Sequence, residues 1–167
     1  MAEADAEYAH LPFKYCHTLL CLDLPVYMYQ ADNEGVHQSA LVSVNRKEQV
    51  YKVTERILND YLAHQSGNAN IRSAQRVVVG RCLASYYGIY IGYFPNNAVD
   101  DERIRRMDEA LLKHDTDLYA SLNDVYRLKW HFVKRYRATG HTQVRIMRML
   151  EAINNLKKRL IRCGDKL

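Results

Sequence analysis

The stretch VVVGRCLASYYGIYIGYF, residues Val77–Phe94, decides the fold class. It is apolar on nearly every side, and Arg81 is its only charged residue. As a helix, eighteen residues span about 27 Å, close to the thickness of a bilayer, so a membrane segment is one reading. Arg81, four tyrosines, three glycines and the lack of another such span favour the other reading. We interpret residues from about Ala69 to Tyr93 as a buried central helix.

Small residues recur every fourth position along one face of this helix, at Gly80, Ala84, Gly88 and Gly92. A glycine in a helix costs about 1 kcal/mol relative to alanine, so such a row calls for a packing reason. Small side chains allow a second helix to approach closely. A tight crossing within the chain is the favoured interpretation, and a homodimer formed through this face is the alternative.

Helical periodicity continues on both sides of the central helix. Before it, Val50, Val53, Ile57, Tyr61 and Leu62 form one apolar stripe on a helix that starts near Ser43. Three further helices are predicted after it. The first has its apolar positions at Ile104, Met107, Leu111 and Leu118, with a possible bend or loop at residues 114–116, and the second, which ends at Thr139-Gly140, has them at Leu122, Val125, Tyr126, Phe132, Val133 and Tyr136. The last, over residues 142–162, points Ile146, Leu150, Ile153, Leu156 and Leu160 inward.

The amino-terminal part follows a different pattern. A short helix is predicted to end near Cys16, and residues 17–31 fit short extended pieces hinged at Leu24-Pro25. The whole chain is therefore predicted to be mainly α, a helical bundle of about five helices with a short extended or β segment near the N-terminus. We expect residues 1–42 to be the end of a preceding domain and residues 43–167 to be a helical C-terminal domain.

Charge is unevenly distributed. From Asp124 onward there are 12 Lys and Arg against 3 Asp and Glu, a local charge of +9. Such a basic end has three interpretations: a helix face exposed to solvent, a contact with an anionic membrane surface and, less favoured, a contact with nucleic acid. Tyr119, Tyr126, Trp130 and Tyr136 could stack on bases or sugars, and their helical spacing fits packing in a core equally well. The candidate residues for an anionic surface are Arg145, Arg148, Lys157, Lys158, Arg159 and Arg162.

No motif for an independent active site accompanies these helices. The sequence lacks GxGxxG, a phosphate-binding loop, HExxH and GxSxG, and no two histidines have the spacing of a helical metal pair. Asp100-Asp101 is interpreted as a helix cap rather than a metal site. Four separated cysteines and no signal peptide favour reduced thiols and a cytoplasmic protein, with membrane association left open. No cofactor or metal is expected in this chain.

An ordered series of motifs between Asp5 and Leu62 carries a family resemblance. Asp5 is followed by Tyr8 and Leu11-Pro12, then by the run LDLPVYMY at residues 22–29. Asn33-Glu34-Gly35 and Gln38-Ser39 form a polar turn, and a helix with a basic start follows at residues 46–62. In order and spacing this segment resembles the end of the catalytic domain in bacterial family-two glycosyltransferases, inverting enzymes that use nucleotide sugars.

The resemblance implies roles for particular residues. Asp5 matches the general base of the family, although Ala4 replaces the glutamate that usually precedes it. Tyr27, Tyr29, Glu34 and Gln38 match acceptor-side or turn positions. A divalent metal, Mg or Mn, belongs to the Asp-x-Asp motif of a missing N-terminal catalytic domain, so this chain is expected to be inactive alone. Its implied function is support of sugar transfer to a cell-surface polysaccharide or lipid-linked acceptor; the alternative is a basic helical module that binds nucleic acid or protein.

Overall fold

The structure is a computed structural model that describes residues 4–18, 46–126, 130–150 and 152–153. These residues are mainly helical, which confirms the predicted class. The chain divides into two compact units, residues 1–86 and 87–167. The helices are α1 (Ala4–His10), followed by a 3-10 turn (Leu11–Tyr15), α2 (Lys47–Ala63), α3 (Ala69–Tyr93), α4 (Ala98–His114), α5 (Thr116–Ser121), followed by a 3-10 turn (Leu122–Asp124), α6 (Phe132–Thr139) and α7 (residues 144–150, with 152–153 also helical).

In the first unit, α2 buries the predicted stripe at Val50, Ile57 and Tyr61. The turn between α2 and α3 is held by Gln75, whose side chain is fully buried. Its Nε2 donates to the carbonyl of His64 at 3.1 Å, and its Oε1 accepts from the backbone N–H of Ser66 at 3.1 Å. One amide therefore satisfies a carbonyl that α2 leaves free at its end and a donor in the turn.

In the second unit, the loop at residues 95–97 leads into a helix that is capped by Asn97. Asn97 Oδ1 accepts from the backbone N–H of Asp100 at 3.0 Å, and Asn97 Nδ2 donates to the Asp100 carboxylate at 2.9 Å. The N-cap of α4 is therefore Asn97, and the predicted cap residues Asp100 and Asp101 lie instead in the first turn, where a helix favours negative charge. The predicted apolar positions Ile104, Met107, Leu111 and Leu118 are all buried, and the weak point is a break at Asp115.

The prediction of one helix through Leu122, Val125, Tyr126, Phe132, Val133 and Tyr136 was wrong. Leu122–Asp124 is a 3-10 turn, Val125 is extended, and α6 begins only at Phe132. The reason is Arg137, whose guanidinium donates to the carbonyl of Tyr119 and to the Asn123 side chain, each at 2.9 Å. These bonds satisfy groups at the end of α5 and its 3-10 turn, so the chain need not continue as a helix. Gly140, at φ 69°, ends α6 as predicted.

The last helix turns a different face inward from the one predicted. Met147 is buried, whereas Ile146 and Leu150 are half-buried and Ile153 is 55% exposed. The register is set by Gln143, because its backbone N–H donates to the carbonyl of Ile91 at 2.7 Å. That carbonyl lies in the last turn of α3, where it has no partner within its own helix. The predicted inward positions Leu156 and Leu160 lie outside the described residues.

Three other predictions are limited by the described ranges. The extended segment at residues 17–31, the helix start at Ser43 and the boundary between residues 42 and 43 fall wholly or mostly within residues 19–45, which are not described. Of the helices that are described, none has the length and apolar character needed to cross a bilayer. Arg81, on the apolar central helix, is exposed.

Candidate functional site

Two carboxylates organise the polar interior of the second unit. Asp101 Oδ1 accepts from the hydroxyls of Tyr90 at 2.6 Å and Tyr136 at 2.5 Å. Burial, and then the hydrogen bond to Asp101, raises the pKa of both tyrosines. Both hydroxyls therefore stay protonated and joined to the carboxylate at neutral pH. This arrangement ties α3, α4 and α6 together.

Asp108 forms the second of these clusters. It accepts from Arg137 Nε at 2.9 Å and Nη2 at 2.5 Å, and from the Tyr87 hydroxyl at 2.9 Å. The Arg137 guanidinium also lies 3.7 Å from the centre of the Tyr119 ring. The two ionic side chains are only 10% and 14% exposed. A bidentate pair this enclosed positions helices and leaves Arg137 little freedom to bind a ligand.

Two cavities on the second unit differ in their charges. The smaller, about 310 Å³, is lined by both clusters and by Arg105 and Glu109, which form an ion pair with each other. Its principal charges are therefore neutralised by internal partners. It is a poor site for a charged ligand.

The larger cavity, about 520 Å³, is lined by Pro95, Asn96, Arg135, Thr139 and residues 141–146; we call it the basic groove. Of the lining residues that the structure describes, none is acidic and two are arginines, Arg135 and Arg145. In the described part of the chain neither arginine has an ion-pair partner, and both are exposed. Arg135 lies 5.2 Å from the centre of the Trp130 ring, which braces its guanidinium.

Asn96 shapes one wall of the basic groove. Its Nδ2 donates to the carbonyl of Gly140 at 2.7 Å, and its Oδ1 accepts from the backbone N–H of Thr142 at 3.0 Å. Thr139 donates to the carbonyl of Arg135 at 2.9 Å. These polar side chains are engaged in holding the loop, so the guanidinium groups and the His141 imidazole remain as the groups that can meet a ligand.

The first unit contains a separate charged cluster around Asp60. Its carboxylate lies 3.4 Å from His10 Nε2, 3.3 Å from Lys14 Nζ and 3.2 Å from His64 Nδ1. His10 is fully buried, and the approach to Asp60 lacks hydrogen-bond geometry, so neither of its ring nitrogens has a hydrogen-bond partner among the described residues. Burial lowers the pKa of His10 despite the nearby carboxylate. A ring this enclosed cannot meet a substrate.

The residues predicted as site residues are only partly described. Asp5 lies in α1. Arg145 and Arg148 are exposed on α7, with Arg145 in the basic groove. The predicted residues outside the described ranges are Tyr27, Tyr29, Glu34, Gln38, Lys157, Lys158, Arg159 and Arg162.

The row of small residues meets other parts of the same chain. A Cβ atom on Gly88 would lie 3.5 Å from the Phe132 ring, and one on Gly92 would lie 3.4 Å from Met147. Helices α6 and α7 therefore use these two positions for close packing, the intramolecular crossing favoured by the sequence. Pairing of two chains through Gly80, Ala84, Gly88 and Gly92 stays a prediction.

The aromatic residues considered for stacking are mostly engaged inside the fold. Tyr136 binds Asp101, Tyr119 lies under Arg137, and the Trp130 indole N–H donates to the Gln143 side chain. Tyr126 is 64% exposed and lies beside the His131 ring, with centroids 5.7 Å apart. Core packing accounts for most of this set.

One pattern was missed at the sequence level. Asp115-Thr116-Asp117 has the spacing of an Asp-x-Asp motif. Asp115 is 4% exposed, and its carboxylate accepts from the backbone N–H of Leu118 at 3.1 Å as the N-cap of α5. The pattern thus acts as a helix start here. Within the described ranges, no cluster of three or more His, Cys, Asp or Glu side chains could hold a metal ion.

Fold and site together define a mainly α-helical protein with a basic groove on its second unit. No protein-family model matches the chain, and no curated protein or solved structure matches it either.

Proposed function

We propose that this chain is the C-terminal accessory part of a bacterial family-two glycosyltransferase and is not catalytic alone. The parent enzyme would transfer sugar from a nucleotide-sugar donor to a cell-surface polysaccharide or a lipid-linked acceptor. The observation that carries the proposal is the order and spacing of the motifs from Asp5 to Leu62. The catalytic domain, with its divalent metal, would precede this chain.

Contacts between α1 and α2 support this proposal. Glu7 accepts from Arg56 at 3.3 Å, and Lys14 donates to Asp60 at 3.3 Å. His10 is buried beside the same Asp60. Helix α1, which carries Asp5, is thus held against α2, the helix that follows the polar turn in the family-like series of motifs. A general base must lie within hydrogen-bond reach of the acceptor hydroxyl, so a helix anchored in this way suits that role.

The basic end suits a place beside an anionic surface. Arg145 and Arg148 are exposed on α7 and have no ion-pair partner in the described part of the chain. Each cation near an anionic leaflet contributes about 1 kcal/mol to binding. The chain would act in the cytoplasm, with this end turned toward the membrane or an anionic acceptor.

The rival function is a self-sufficient basic module for nucleic acid or protein, favoured by the local charge of +9. Two measurements separate the proposals. Antibodies raised against this chain should detect a natural protein larger than 19.5 kDa by roughly one catalytic domain, whose sequence contains an Asp-x-Asp motif after a strand. A natural protein of 19.5 kDa that binds RNA or DNA with a steep salt dependence would instead establish the basic binding module.

A further inference from the structure

We infer that the basic groove binds an organic diphosphate, a ligand that pairs a diphosphate group with an apolar portion. This inference stands on the second unit alone and does not depend on the glycosyltransferase proposal. The groove is the larger of the two cavities described above, at about 520 Å³. Pockets for small organic ligands have volumes of about 300–1,000 Å³, so its size suits more than a bare ion.

The charge of the groove indicates an anion with more than one negative charge. Arg135 and Arg145 line it together with His141, and none of the described residues on its walls is acidic. A single carboxylate would leave one guanidinium without a partner. Guanidinium groups present paired N–H donors that match the oxygens of phosphate, and two of them suit the two phosphoryl groups of a diphosphate.

The arginines of the smaller cavity, in contrast to those of the groove, have carboxylate partners. Arg105 there pairs with Glu102, at 2.7 Å, and with Glu109, and Arg137 pairs with Asp108. Arg135 has no such carboxylate in the described ranges and is braced by the Trp130 ring. An arginine held by an aromatic ring but not neutralised is ready to bind an external anion.

The apolar walls decide between inorganic and organic ligands. Pro95, Val144 and Ile146 line the groove beside the arginines. Inorganic pyrophosphate would leave these side chains in contact with water. A nucleoside or a hydrocarbon attached to the diphosphate would cover them, and each buried methylene would strengthen binding about fourfold. Two sources share this chemistry, a soluble nucleotide and the head of a prenyl lipid.

Isothermal titration of the 167-residue protein with three probes tests the inference: inorganic pyrophosphate, uridine diphosphate and geranyl diphosphate. We expect both organic diphosphates to bind at least tenfold more tightly than pyrophosphate, and the tighter of the two identifies the source. Arg135→Gln and Arg145→Gln should each weaken binding about tenfold or more, the loss expected for a charge-assisted hydrogen bond. Arg105→Gln is the matched control and should leave binding unchanged.

Circular dichroism melting curves confirm that each variant is folded, and Arg135→Lys provides a second variant that keeps the charge and should bind better than Arg135→Gln. Equal affinity for pyrophosphate and the organic diphosphates would overturn the inference, as would variants that bind like the parent. Tighter binding of a single-stranded oligonucleotide, lost in the same two variants, would overturn it in favour of a nucleic-acid interface.

Discussion

Arg137 and Asp108, 29 residues apart in sequence, form a bidentate ion pair that is 10% and 14% exposed. The same guanidinium also satisfies the Tyr119 carbonyl and the Asn123 side chain. A single side chain thus joins α4, α6 and the end of α5. This pair therefore links three elements of the second unit.

Replacing Arg137 should therefore destabilise the protein strongly. We expect Arg137→Met to lower the free energy of unfolding by about 3 kcal/mol, because Asp108 is left as an enclosed carboxylate without its cation. Urea unfolding followed by circular dichroism measures the change. Arg105→Met removes an exposed arginine that also has two carboxylate partners, and it should leave the free energy of unfolding close to that of the parent. Equal losses from the two changes would contradict the account.

The tyrosines bound to carboxylates predict behaviour at alkaline pH. Burial first, and then neighbouring carboxylates, raises the pKa of Tyr87, Tyr90 and Tyr136. A group with a raised folded pKa contributes stability below its unfolded pKa of about 10 and loses it as the pH rises further. The free energy of unfolding should fall above pH 10 more steeply in the parent than in Tyr136→Phe. Identical alkaline slopes would show that Tyr136 is not bound as described.

At acidic pH the predicted effect comes from His10. Burial lowers its pKa in the folded protein, and Asp60 opposes that shift only in part. The unfolded chain therefore binds more protons as the pH falls through about 6.5, so stability is complete above this value and declines below it.

The measurement compares His10→Phe with the parent in urea unfolding between pH 5 and pH 8. An aromatic ring suits this position because His10 already packs edge-on against Phe13, with centroids 6.3 Å apart. The parent should lose stability more steeply toward pH 5 than the variant. Lys14 and His64, which also lie beside Asp60, are present in both proteins, so their contributions cancel when the two are compared. A parent without this extra loss would contradict the described burial of His10.

Gly88 tests the packing of α6 on α3. A methyl group there would lie in ordinary contact with Phe132, at 3.5 Å, so Gly88→Ala should raise the free energy of unfolding by about 0.5–1 kcal/mol through helix propensity. Gly88→Leu should lower it by about 1–3 kcal/mol, because the larger side chain overpacks the crossing. Light scattering should give the mass of a monomer for the parent and for both variants. A dimeric parent that dissociates only in Gly88→Leu would favour pairing of two chains.

Local features of the fold were predictable from the sequence. The extent of α3, Ala69–Tyr93, follows from an apolar run without proline. The start of α4 was predicted from the acidic residues of its first turn, although Asn97 is the residue that caps it. The helix end at Gly140 needed only a glycine that can adopt positive φ. These features depend on short-range chemistry, which a single sequence displays.

The charged clusters were not predictable, because their members are distant in sequence. Asp101 and Tyr136 are 35 residues apart, and His10 and Asp60 are joined only when α1 packs on α2. The wrong prediction of a helix through Leu122–Tyr136 has the same origin, since Arg137 reaches back to Tyr119 and Asn123. The basic groove likewise depends on the loop that Asn96 holds. An excess of tyrosine, 13 in all, was the one compositional signal of these networks.

The most direct test of the proposed function is sugar transfer by the complete natural protein and by two variants within α1. Asp5→Asn should abolish turnover of a nucleotide sugar while leaving donor binding intact, because only the base that activates the acceptor is lost. Glu7→Gln, two residues away and paired with Arg56, should keep turnover within about threefold of the parent. Full activity of Asp5→Asn, or sugar transfer by the 167-residue chain without any preceding domain, would contradict the account.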